Sequence, residues 1–94
     1  MSSGRNSRSR PPIIDEIHLR RLTVDEALFK LDKYLNDAFM AGLIRVRVVH
    51  GKGTGTLRQA VKEYLARYSL VKSHRPGGYG EGGDGVTIVY LVLK

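Results

Sequence analysis

Cysteine is absent from the 94-residue chain. That excludes disulfide staples and thiolate metal sites, and it agrees with a reducing, cytoplasmic setting. No apolar run approaches the ~18 residues of a membrane-spanning helix, so a helical span is excluded and no membrane partner is expected. The opening stretch, MSSGRNSRSRPP, has no apolar segment and cannot act as a secretory signal. Acidic residues are also scarce. Nine Asp and Glu stand against sixteen Lys and Arg, for a formal net charge of +7.

What is present fits one small domain. A chain of this length seldom divides further, and a hydrophobic fraction of 41% is enough for a folded core. Residues 1–12 read as a disordered basic tail carrying Arg5, Arg8 and Arg10, and residues 13–94 as the domain. Without those three arginines the remainder still carries +4. Such a balance favours polyanionic partners such as DNA, RNA or a ribosomal surface.

Local patterns predict the element order β-α-β-α-β-β. IIDEIHL reads as a short strand ending near Leu19. In the segment from Thr23, a Thr23/Glu26 capping box precedes an apolar face of Ala27, Leu28, Leu31, Leu35, Ala38 and Phe39, and Gly42 is placed to stop the helix. LIRVRVVH alternates, with Ile44, Val46 and Val48 on one side and Arg45 and Arg47 on the other. A second helix carries Leu57, Ala60, Val61, Tyr64, Leu65 and Tyr68 on its apolar side. LVKSHR is a third strand, and VTIVYLVL a central one covered on both faces.

Right-handed crossovers place both helices on one side of a mixed four-stranded sheet, a two-layer α/β sandwich. The other side is then expected to be partly open, showing Arg45 and Arg47 to solvent. With the first three strands parallel, their carboxyl ends share an edge, so HLR, HGKGTG and HRPGGYGEGGDG converge there. Ligands of open α/β sheets favour that edge, beside helix N-termini.

The HGKGTG turn has the look of a phosphate cradle. A P-loop is excluded because Lys52 lies between Gly51 and Gly53 and no Gly-Lys-Ser/Thr follows. A dinucleotide fingerprint would need glycine where Thr56 stands, and the acidic ribose contact is missing near Arg75. This domain is therefore not expected to bind a nucleotide. Gly51, Gly53 and Gly55 still allow close backbone approach, Thr54 or Thr56 can cap the helix, and Lys52 and Arg58 add charge. A phosphodiester backbone is the expected anion.

Together, HGKGTG, EGGDGVT and IHLRRLTVDEAL resemble the Smr (small MutS-related) domain over about Ile17 to Leu93. The resemblance is nearest to the form at the C-terminus of a bacterial MutS paralogue that suppresses recombination or acts on stalled ribosomes. It implies a fold like the C-terminal domain of bacterial initiation factor three. It also implies nucleic-acid binding and, in several members, nicking endonuclease activity. One motif departs from the family's Leu-Asp-x-His or Leu-Asp-Leu-Arg-Gly. Here His18 stands at the acidic position and Arg21 at the usual glycine.

Two chemistries follow for strand cleavage. One holds a divalent ion, Mg or Mn, between Glu81 and Asp84 and the substrate phosphates, although two carboxylates on a glycine loop make no rigid two-metal cage. Asp84 reads equally as an Asp-Gly turn residue. The other pairs His18 with His50 as acid and base, with Lys52 or Arg20 stabilising the charge that develops, a route suited to RNA. The alternative for His50 is structural: it packs at the strand end and bonds its own turn. A binding module without cleavage needs only phosphate contacts from Arg20, Arg21, Lys52, Arg58, Lys62 and Arg75, the backbone of Gly51, Gly53, Thr54, Gly55 and Gly83, and a base stacked on Tyr79. A monomer is expected.

Overall fold

The computed structural model describes residues 14–94, so the predicted basic tail lies outside the described residues. Four strands and two helices follow in the expected order: β1 (Glu16–His18), α1 (Val24–Met40), β2 (Arg45–Val49), α2 (Thr56–Arg67), β3 (Val71–Pro76) and β4 (Val86–Leu91). A 3-10 turn at Gly83–Gly85 precedes β4.

Helix α1 starts where its sequence says it should. The Thr23 hydroxyl accepts from the Glu26 amide at 3.1 Å while Glu26 Oε1 accepts from the Thr23 amide at 2.9 Å, the reciprocal capping box. At the other end Gly42, at φ +83, follows the Ala41 cap and its amide reaches the Phe39 carbonyl.

The sheet order is β1-β2-β4-β3. β1 and β2 are parallel, while β4 runs antiparallel to both β2 and β3. β3 therefore shares the direction of β1 and β2 although β4 separates it from them. The insertion of β4 leaves the three carboxyl ends on one edge, as the strand reading requires.

One face of the sheet packs against both helices. Ile17, Val46, Val48, Val89 and Leu91 meet Ala27, Leu31, Leu35 and Ala38 of α1 and Val61 and Leu65 of α2 in one buried cluster. Tyr64 and Tyr68 stack on each other and both reach Asp32, tying α2 to α1. Desolvation and the adjacent Asp32 carboxylate push the Tyr64 phenol well above its ordinary pKa.

The opposite face corrects one expectation. Glu16, Arg47, Ile88 and Arg75 lie in register across it, and Ile88 is only 1% exposed. Arg47 is half-buried rather than displayed, and its Nε is buried without a partner. Ile44 also departs from its expected place. It precedes the strand and is exposed, leaving Val46 and Val48 to carry the buried side of β2.

Candidate nucleic-acid interface

The edge at the carboxyl ends of β1 and β2 is built from three segments locked by backbone contacts. The amides of His50 and Gly51 both donate to the Gly85 carbonyl at 3.0 Å. Gly51 has φ +84, a conformation that suits glycine, and the Arg20 stem lies over it. A Cβ at Gly51 would stand 3.2 Å from Arg20 Cγ, and one at Gly85 would stand 3.3 Å from Lys52 Cγ. The segment after β1, the HGKGTG turn and the GGDGVT segment therefore do converge.

Helix α2 opens directly from this turn. Its N-cap is Gly55, at φ +88, with no capping side chain and no acid in the first turn. Thr54 Oγ1 accepts from the Thr56 amide at 3.3 Å, so the expected capping is a local contact that leaves the rest of the turn uncapped. The Arg58 guanidinium folds back towards Gly55. Unsatisfied amides, the positive helix end and a guanidinium occupy the same place, which is how helix starts bind anions.

Two recesses adjoin here and share Arg58. The first, about 250 Å³, is lined by Arg21, His50, Lys52, the rest of the glycine turn and Arg58. The second, about 360 Å³, is lined by Arg58, Gln59, Lys62, His74, Arg75, Asp84 and Thr87, among others. Water takes about 30 Å³ of liquid volume, so each recess has room for a phosphate group and solvent. Cations dominate both rims.

His50 lines the first recess and is 4% exposed. Its Nδ1 lies 3.0 Å from the Gly51 carbonyl, which can only accept, so Nδ1 is assigned the ring proton. Nε2 then accepts from the Thr87 hydroxyl at 2.9 Å. Burial, and to a smaller extent the nearby Arg58 charge, lower the imidazole pKa below 6.5, while the Gly51 bond opposes the shift. The ring is neutral at physiological pH.

The structure does not bring His18 to His50. Ile17 enters the core, so its neighbour His18 projects to the open face, where Nε2 lies 2.5 Å from Glu16 Oε2. His50 follows Val46 and Val48 on the helix-side face. Strand alternation separates the two histidines, so the expected acid-base pair has no common site.

Glu81 and Arg75 are also placed differently from their sequence assignments. They form two parallel bonds of 2.7 and 2.9 Å, and the Gly78 amide donates to Glu81 Oε1 at 2.7 Å. Asp84 sits in the 3-10 turn beside the second recess, consistent with its turn reading. Among the described residues, no three His, Asp or Glu side chains gather as a cation site. With Glu81 already engaged, these residues do not fit a protein-built metal cage. Tyr79 is fully exposed at the loop tip and lines neither recess, and Gly83, at φ +59, is within the turn.

Sequence reasoning did not single out Thr87, Gln59 or His74. Thr87 had a signal: it is a hydroxyl on an otherwise apolar strand, at the parity of Val89 and Leu91.

Comparison with known proteins agrees with this architecture. A family model described as Smr domain matches residues 17–92. The chain belongs to the Smr domain family. It is 59% identical over 75 residues to Endonuclease MutS2 of Clostridium beijerinckii, covering 80% of the chain, and 60% identical over 81 residues to that of Thermomicrobium roseum, covering 86%. The Smr chain spans 10% of the length of each of these curated relatives. It is also similar to the crystal structure of the Smr domain of Thermus thermophilus MutS2, with 49% identity, a TM-score of 0.82, and coverage of 84% of this chain and 99% of that one. YdaL, a stand-alone small MutS-related protein of Escherichia coli, shares the fold at 24% identity and a TM-score of 0.79, with coverage of 90% and 70%.

Among the described residues Arg21 is the one non-glycine with positive φ, at +70. The turn keeps the backbone conformation that glycine favours and adds a cation to the first recess.

Proposed function

We propose that this Smr domain binds the phosphodiester backbone of DNA across the two recesses and hydrolyses it there, one strand at a time. The observation that carries the reading is the continuous row of Arg21, Lys52, Arg58 and Lys62 around the uncapped start of α2. Such a row contacts phosphates and positions a strand with little sequence preference. The cleavage half of the proposal draws on relatives named as endonucleases, although the match covers only 10% of the length of each.

The test uses supercoiled plasmid with the purified chain, in Mg²⁺, in Mn²⁺ and in EDTA, alongside binding titrations over a range of salt. Nicked circles and an affinity that falls steeply with salt are expected. Affinity insensitive to ionic strength would overturn the binding site, and intact plasmid in every condition would overturn cleavage.

One observation favours a second reading. Both ring nitrogens of His50 are already engaged, so the imidazole has no free atom to offer a substrate. On this reading His50 latches the turn to β4, and the domain holds DNA, RNA or a ribosomal surface without cutting it.

A further inference from the structure

Gly51, His50 and Thr87 form a directed chain of hydrogen bonds. The Gly51 carbonyl accepts from Nδ1–H, and Nε2 accepts from the Thr87 hydroxyl, so the Thr87 hydrogen points at His50. The oxygen of Thr87 retains lone pairs, and Thr87 lines the second recess while His50 lines the first. The two residues are 37 positions apart in sequence and are both nearly buried. A hydroxyl placed on an apolar strand needs a partner, and a latch alone would satisfy it. The latch does not explain why Thr87 itself borders a cation-lined recess large enough for a phosphate.

We propose that Thr87 relays protons between His50 and a water molecule in the second recess, which makes Thr87 a catalytic residue and this recess the seat of the scissile phosphodiester. The proposal rests on the cleavage reading above. The water gives a proton to Thr87 Oγ as Thr87 passes its own to His50 Nε2. The resulting hydroxide attacks phosphorus, one phosphorus–oxygen ester bond breaks, and the leaving oxygen takes a proton from solvent. The imidazolium, still bonded to the Gly51 carbonyl, returns its extra proton to solvent through the same chain. Oxidation states do not change, and water is the only co-reactant. The backbone carbonyl orients the ring as a third group orients the base in other hydrolytic sites.

The electrostatic surroundings set the expected pH behaviour. Arg21, Lys52 and Arg58 surround the His50 side of the relay, and Arg58, Lys62, His74, Arg75 and Asp84 the Thr87 side. This mainly positive environment disfavours a charged imidazole. The relay needs neutral His50, so its rate should fall as pH drops through a pKa below 6.5. His74 is a second imidazole lining the same recess and must be separated from His50.

The test measures plasmid nicking and DNA affinity for wild type, Thr87→Val, Thr87→Ala, Thr87→Ser and His74→Gln, with pH profiles and the ¹⁵N imidazole spectrum of His50. Thr87→Val and Thr87→Ala should lose about 100-fold or more of the nicking rate, in the range of general-base effects, with affinity nearly unchanged. Thr87→Ser should retain most of the rate and the acid-side fall, and His74→Gln should keep that fall. The wild-type spectrum should show Nδ1 protonated and Nε2 bare. A protonated Nε2 overturns the relay without reference to cleavage and keeps the test valid if the Val and Ala variants misfold. Wild-type rates in a folded Thr87→Val overturn it, as does parallel loss of rate and affinity. If wild type never nicks, the cleavage reading fails and the relay fails with it; if wild type nicks and Thr87 is dispensable, only the relay fails.

Discussion

Arg75 and Glu81 close the glycine-rich loop with a fork of two hydrogen bonds, 2.7 and 2.9 Å long, on the outer face of the sheet. The Arg75 guanidinium also lies 5.9 Å from the Tyr90 ring centroid, and its Nε donates to the Tyr90 hydroxyl. The loop therefore has a fixed base despite its glycine content. Arg75, Glu81 and the Gly78 amide form one contact that joins the end of β3 to the approach to β4.

This clamp has a defined pH signature. The Arg75 bonds, followed by the Gly78 amide, hold the Glu81 carboxyl down to about 2. A carboxylate whose folded pKa is depressed contributes stability above its unfolded value, near 4.3, and loses it as pH falls towards the folded one. The Glu81 carboxyl resonance should titrate with a midpoint of about 2. A midpoint in the ordinary carboxylate range would show that the fork does not persist in solution. Glu81→Gln should speed amide exchange in residues 77–85 and leave exchange in α1 unchanged.

Arg58 is expected to be the most sensitive of the phosphate contacts because it serves both recesses. Arg58→Ala should weaken DNA binding whatever the sequence, and it should reduce the log-log salt slope by about 1. Lys62→Ala, touching one recess, should weaken binding less. Filter-binding titrations at several salt concentrations measure both. An unchanged slope in Arg58→Ala would remove the start of α2 from the interface.

Arg47 separates the two faces of the sheet. It pairs in register with Ile88, its Nε is buried without a partner, and among the described residues its one ion pair, to Glu16, is long at 3.4 Å. Arg47→Met keeps an apolar stem and removes the orphan donor, whose burial typically costs about 1–3 kcal/mol. The variant should be at least as stable as wild type in urea unfolding and should bind DNA equally well. Reduced affinity would place the phosphate backbone on the outer face instead.

Local chemistry made much of the fold legible. Thr23 and Glu26 mark the start of α1 because a capping box is a short-range device, and the Ile17, Val46 and Val48 positions reveal the buried face by alternation. The apolar run Val86–Leu91 marks a central strand, but composition does not state its neighbours, so its insertion between β2 and β3 was hidden. The site was less legible. Charge alone assigned Arg75 to phosphate and Glu81 to a metal ion, whereas strand geometry brings the two together. The His50–Thr87 bond spans 37 residues and depends on β4 pairing with β2, which no local pattern encodes. His18 looked like a partner for His50 until alternation placed it on the other face.

Arg21 offers a final test, because its backbone and its charge pull in different directions. At φ +70 an L-residue carries a left-handed penalty of about 1–2 kcal/mol that glycine avoids. Glycine also loses more conformational entropy on folding, which offsets about 0.4–1 kcal/mol of that gain. Arg21→Gly should therefore hold or raise stability, by no more than about 1.6 kcal/mol. It should also weaken DNA binding, since the first recess loses a cation. Arg21→Ala removes the same charge but keeps the strained backbone, so it should match Arg21→Gly in affinity and fall below it in stability. Equal stability of the two variants would show that the turn relaxes out of the left-handed region, and full affinity in both would show that Arg21 does not face the strand.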